Sequence, residues 1–232
     1  MLAVLVDPDK TSPADCIELG TRATEAGVDF FFVGSSILTS GSVESVVEVL
    51  KRSTSIPVLL FPGNNMQVTP AADGLLFLSL ISGRNPDLLI GSHVLAAPYL
   101  KKSGLEVIST GYMLIDSGTP TSVSYMSYTF PIPHDKNDIA VCTAMAGEML
   151  GMKLIYMDAG SGARHSISSS MIEDVRKSID IPIVIGGGIR SAEKAEEICR
   201  AGADIVVIGN ALEKNPELLF DISAAVHAIH AN

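Results

Sequence analysis

The chain has 232 residues, 47% of them hydrophobic and 18% charged, a composition that excludes a disordered segment and suits one domain with a large core. Its formal net charge of −10 speaks against nucleic acid and against a membrane face held by electrostatics. Cys16, Cys142 and Cys199 are odd in number, far apart and without metal-type spacing, which makes Cys16 and Cys199 small buried hydrophobes and places the protein in a reducing cytoplasm.

Taken in chain order, short apolar runs at 2–6, 28–33, 57–61, 75–79, 105–109, 153–157, 181–185 and 203–208 alternate with helical patterns. The first run meets a charge at Asp7, too soon for a signal sequence, and no run approaches the length of a membrane span. Near-continuous hydrophobicity is the mark of parallel strands covered by helices. Eight such strands with return segments suit a single-domain TIM (β/α)8 barrel across residues 1–232 better than an open doubly wound sheet. Ser12-Pro13 caps a helix that stops near Ala26-Gly27, Ser191 opens another that stops at Ala201-Gly202, and Asn215-Pro216 starts the last. Residues 62–74 carry two prolines and two glycines, too broken for a crossover, so the third helix is expected to be missing. The Ser/Thr/Tyr/Pro-rich stretch 113–133 reads as a functional loop or lid.

Side chains at the C-terminal ends of barrel strands face the catalytic mouth. Strand 1 ends in Val6-Asp7-Pro8-Asp9-Lys10, where Asp7 either holds Mg²⁺ beside a phosphorylated substrate or shapes the turn around Pro8. Strand 2 ends in Gly34-Ser35-Ser36, whose hydroxyls offer an oxygen ligand or a helix cap. Strand 6 runs into Tyr156-Met157-Asp158-Ala159-Gly160-Ser161-Gly162; Asp158 is placed as a general base, or pairs with a buried basic group. Strands 7 and 8 end in Gly186-Gly187-Gly188 and Gly209-Asn210, glycine turns that bare backbone N–H groups to a phosphate at helix N-termini. The five histidines lack metal-ligand spacing, and no Gly-x-Ser-x-Gly elbow is present.

Together, VDPDK (6–10), VGSS (33–36), YMDAGSG (156–162), IGGGIR (185–190) and Gly209-Asn210 resemble the geranylgeranylglyceryl phosphate synthase family. The stretches 90–104 and 110–116 are similar to its second, longer-chained subgroup. The resemblance spans essentially the whole chain. It implies Mg²⁺ on Asp7 and Ser36, and sn-glycerol 1-phosphate on Tyr156, Met157, Asp158, Ala159, Gly160, Ser161, Gly162, Gly187, Gly188, Gly209 and Asn210, with Asp158 catalytic. The implied reaction joins the 3-hydroxyl of the acceptor to C1 of geranylgeranyl diphosphate and releases pyrophosphate. The prenyl tail would need an apolar trough, for which the gap between strands 3 and 4 and the loop around Tyr99 and Tyr112 are candidates. A dimer or hexamer is also implied.

Two departures stand out. Asp158 occupies a position where the family usually has glutamate, and the first strand starts without a preceding segment, so a less tightly closed barrel bottom is expected. Two other readings share the glycine loops: another phosphate-binding barrel, such as an isomerase or lyase, and a binder of phosphorylated ligands without catalysis.

Overall fold

Side chains of β1 (Leu2–Val6) and β2 (Phe30–Val33) alternate between two apolar environments. Ala3 and Phe32 point into one cluster, while Leu2, Val4, Val6, Phe31 and Val33 point into a larger one beneath the helices. The same two-residue period holds through β3 (Val58–Leu60), β4 (Gly74–Leu80), β5 (Glu106–Leu114), β6 (Leu154–Asp158), β7 (Ile183–Gly186) and β8 (Ile205–Ile208). In this computed structural model, which describes residues 1–230, the strands are all parallel and β8 closes onto β1. The smaller cluster is therefore the barrel interior.

The return segments are α1 (Pro13–Ala26), α2 (Val43–Ser53), α3 (Ser92–Ser103), α4 (Ser122–Ser127), α5 (Asn137–Met149), α6 (Ser169–Arg176), α7 (Ala192–Arg200), α8 (Asn210–Lys214) and α9 (Leu218–His230). The caps fall where the sequence puts them. The Ser12 hydroxyl accepts from Asp15 N and the Asp15 carboxylate from Ser12 N, while Ser191 accepts from Lys194 N. As expected, no helix joins β3 to β4. Cys16 and Cys199 are buried and Cys142 is exposed.

Three expectations change. Strand 5 runs on to Leu114 instead of ending at 109. Gly111 within it serves close packing, since a Cβ there would meet Ile155 Cδ1 at 2.8 Å and Ile81 Cδ1 at 2.9 Å. The stretch 113–133 is accordingly part strand and part helix, with α4 in its middle. Asn215 ends the short α8, and the last helix begins only at Leu218.

The bottom is tied by carboxylates placed just before even-numbered strands. Asp29 accepts from Leu2 N at 2.7 Å, Asp73 from Val58 N at 2.8 Å and Asp204 from Ile183 N at 2.8 Å. Each caps the first amide of the preceding odd-numbered strand. His227 of α9 lies 3.0 Å from the same Asp29 oxygen, and the Met1 amino group donates to the Asp204 carbonyl. These bonds replace the looser closure expected at this end.

Candidate active site

The interior narrows upward onto four rings. Phe61 lies 5.1 Å from Tyr156 and 6.0 Å from Tyr112 between centroids, Tyr112 stands edge-on to Tyr156 at 5.6 Å, and Phe32 packs beside Tyr156. Above this floor opens a cavity of about 460 Å³, within the ~300–1,000 Å³ that small-molecule sites occupy.

The cavity has an unusual course. β3 and β4 pair only through Leu59–Gly74 and Leu60–Leu75, whereas β4 and β5 pair along all of β4. Above Leu60 the sheet is split. The cavity touches Leu76, Leu78 and Leu80 on the inner face of β4, and Leu75 and Phe77 on its outer face. Ala96 and Leu100 of α3 wall the outer part. An apolar slot thus leads from the mouth into the space that a helix after β3 would fill. Tyr112 lines it; Tyr99 does not and is 48% exposed.

On the polar side the β6 turn is central. Asp158 is 8% exposed; its Oδ2 accepts the Tyr112 hydroxyl at 2.6 Å and its Oδ1 accepts Gly160 N at 2.7 Å. Burial raises its pKa above the ordinary carboxylate value, against the lowering effect of those two bonds. No basic side chain pairs with it among the described residues. Burial, and then the neighbouring Asp158 charge, push the Tyr112 phenol well up, so it stays a donor. The Tyr156 hydroxyl fits over Gly186, where a Cβ would stand 2.6 Å away.

Tyr156, Asp158, Gly160, Ser161, Gly162, Gly187, Gly188, Gly209 and Asn210 all line the cavity. Asn210 Nδ2 donates to Ser161 Oγ at 3.1 Å and so joins the β6 and β8 turns. Met157 and Ala159 stand apart from these. The strand period turns both outward into the layer under the helices, and neither lines the cavity. The glycine turns also open less directly into helices than their sequence suggests, because α7 begins beyond its Ser191 cap and α8 is five residues long.

Across the mouth, Asp7 and Ser36 line the same cavity. Asp7 Oδ1 accepts Asp9 N, and its Oδ2 lies 3.5 Å from Lys10 Nζ. Asp9 is committed elsewhere. Its oxygens accept from Thr39 N, Thr39 Oγ1, Ser40 N and Gly41 N, which holds the loop after β2 against the β1 turn. Those backbone bonds hold its pKa far below the usual value. Gln67, 1% exposed, accepts Ser35 N and Gly63 N and donates to the Ser35 carbonyl, locking the next two loops together. Nothing in the sequence singled it out. Among the described residues no three His, Cys, Asp or Glu side chains cluster as a metal cage. One carboxylate plus one hydroxyl fits Mg²⁺ that arrives with, and is completed by, phosphate oxygens.

A parallel barrel with glycine turns on one side of its mouth and an apolar slot on the other defines a class of (β/α)8 protein suited to an anionic head and a long tail. The PcrB family model matches residues 2–227, and the chain belongs to that family. The geranylgeranylglyceryl phosphate synthase of Chitinophaga pinensis is 59% identical over 226 residues, covering 97% of this chain and 90% of the relative. That of Spirosoma linguale is 54% identical, with the same coverage. The structure of (S)-3-O-geranylgeranylglyceryl phosphate synthase from Thermoplasma acidophilum, in complex with sn-glycerol-1-phosphate, superposes with a TM-score of 0.91 at 30% identity. That match covers 97% of this chain and 92% of the other.

Proposed function

We infer that this chain is a geranylgeranylglyceryl phosphate synthase, which joins the 3-hydroxyl oxygen of sn-glycerol 1-phosphate to C1 of geranylgeranyl diphosphate. The observation that carries this reading is the buried Asp158 carboxylate, set between glycine turns and an apolar slot. The names of the relatives support it.

The acceptor phosphate rests on the turns of β6, β7 and β8, whose glycines let backbone N–H groups approach an anion. This orients the glycerol hydroxyl towards Asp158, and fixing two reactants in one geometry removes much of the entropic barrier. As the new O–C1 bond forms and the C1–O bond to the diphosphate breaks, the hydroxyl proton passes to an Asp158 oxygen. A carboxylate raised by burial is a better base than an ordinary one. Each Asp158 oxygen has one fixed donor, so the side chain keeps a single orientation with lone pairs to spare. The tail lies in the slot beside β4 and the diphosphate sits on the Asp7 side. There Asp7 and Ser36 would hold Mg²⁺, which when bound neutralises diphosphate charge.

The working form is a homo-oligomer, dimer or hexamer, in the cytoplasm. Support for this comes from the resemblance of the chain and from its three free thiols; no helix among the described residues is long and apolar enough to cross a membrane. Light scattering after gel filtration tests the assembly, and a monomer overturns it. For the reaction, purified protein is incubated with Mg²⁺, radiolabelled sn-glycerol 1-phosphate and prenyl diphosphates of increasing length. An organic-extractable product is expected, greatest with geranylgeranyl diphosphate; none with any donor overturns the reading. Turnover that survives both EDTA and Asp7→Ala removes the metal assignment.

A further inference from the structure

The basic lysine and arginine side chains that line the cavity, among the described residues, are Lys10 and Arg190; the acidic ones are Asp7, Asp9, Asp158 and Glu213. Arg190 belongs to the turn after β7. Its guanidinium donates to the carbonyls of Ala163 at 2.6 Å and Arg164 at 3.4 Å, which fixes it on the glycine side of the mouth. Lys10 stands on the other side, in the turn after β1. Its Nζ lies 3.3 Å from Glu213 Oε1 and 3.5 Å from Asp7 Oδ2, and the side chain is 45% exposed.

This pairing bridges the turn after β1 and helix α8, elements that meet only because the barrel closes β8 onto β1. An ammonium has three donors; Glu213 accepts one, while Asp7 stands at ion-pair distance without taking another. Lys10 itself lines the cavity, and among the described residues Glu213 is the one acceptor its ammonium bonds at hydrogen-bond geometry. The reaction proposed above places a diphosphate at this side of the mouth and increases its charge as the C1–O bond breaks. In that reading Asp7 turns to a cation, which withdraws one partner from Lys10. Acidic lining outnumbers basic lining, so an anion held here needs this ammonium.

We propose that Lys10 binds the departing diphosphate: its ammonium pairs with Asp7 and Glu213 while the donor site is empty and moves onto diphosphate oxygen when the donor enters. Lys10 stays protonated throughout and exchanges no atom. The inference rests on the reaction proposed above, and its test separates the two.

Inorganic pyrophosphate with Mg²⁺ is titrated calorimetrically into the full chain, into Lys10→Met and into Lys10→Arg, with product formation measured alongside. Lys10→Met is expected to weaken pyrophosphate at least about 10-fold and to lower kcat about 100-fold, the scale of losing one charge-stabilising donor. Its KM for prenyl diphosphate rises while that for glycerol 1-phosphate changes less than about twofold, since the acceptor turns are untouched. Lys10→Arg restores most of the pyrophosphate affinity. Should thermal melting show Lys10→Met misfolded, Glu213→Gln replaces it; removing one competitor should tighten pyrophosphate a few-fold. Wild-type product formation with unchanged pyrophosphate binding in Lys10→Met, or in a folded Glu213→Gln, overturns the inference and leaves the reaction standing. A wild-type chain that makes no ether overturns the reaction, and the leaving-group role with it.

Discussion

The Tyr112 hydroxyl donates to Asp158 Oδ2 at 2.6 Å, and the two residues are diagonal neighbours on adjacent strands, since Tyr112 pairs with Tyr156 and Leu114 with Asp158. Both side chains are buried, so the bond forms in a medium where a charged acceptor gains most from a donor. Tyr112 therefore positions Asp158. Tyr112→Phe removes a bond that lowers the Asp158 pKa, so the acid limb of the pH profile of kcat/KM should move to higher pH. Loss of a hydrogen bond to a charged group, roughly 1.5–3 kcal/mol, sets the scale of the accompanying fall in stability. An unmoved acid limb would contradict the positioning role.

Asp158→Asn should separate stability from activity. The carboxyl binds its proton more tightly in the folded chain than in the unfolded one, so its contribution to stability is present at low pH and lost as pH rises through the folded pKa. The variant is expected to melt above wild type at pH 8, with the gap closing as pH falls towards the ordinary value of 3.8. Turnover should drop at least about 100-fold, the lower range of a general base. Melting curves across pH with a product assay check both.

Asp9→Ala should weaken the mouth without touching the substrate directly. Its folded pKa is depressed, so its stabilising effect is present above 3.8 and lost as pH falls through the folded value. The variant should melt below wild type at pH 7, and the difference should narrow in acid. An equal melting point at pH 7 would mean that the Thr39–Gly41 loop does not depend on this carboxylate.

Two glycines at the mouth should respond differently to alanine. Gly188 and Gly162 both have φ in the left-handed region, +72° and +75°. A Cβ on Gly188 would meet Ser166 N at 2.8 Å and the His165 carbonyl at 2.9 Å, whereas one on Gly162 meets nothing within 4 Å. Gly162→Ala should cost about 1–2 kcal/mol from conformation alone. Gly188→Ala must also shift backbone, so it should lose more stability and raise KM for glycerol 1-phosphate further. Equal effects on KM would mean that the turn after β7 does not shape the acceptor site.

The sequence made the barrel legible because each strand is a near-continuous apolar run closed by a cap or glycine, and because 62–74 has nothing a helix could use. Side-chain direction was harder to read. Met157 and Ala159 lie within a motif whose other members line the cavity, and only the strand period separates them. Tyr112, a trough candidate in the sequence, became visible as the partner of Asp158 once β5 extended past Gly111; a strand continued by its own alternation through Thr110 and Leu114 would have revealed it. The bridge from Lys10 to Glu213 joins residues 203 apart, and such pairings follow from barrel closure, which no local window contains. Asp9 and Asp7 differ for a similar reason: the Thr39–Gly41 loop chooses between two carboxylates of one motif.

The absent helix after β3 has a thermodynamic consequence. In an ordinary unit that helix would cover the outer face of β4, where Phe77 remains only partly covered. On the proposed reaction, a prenyl tail laid along the slot would become, for the time it is bound, the missing cover of the barrel wall. Ligand that binds only the native state stabilises it by RT ln(1 + [L]/Kd), so a tighter-binding tail stabilises more at a given concentration. The donor would thus act as a detachable piece of the core, and the empty enzyme would be the less complete fold. Resistance to heat and proteolysis should grow with tail length until the slot is filled.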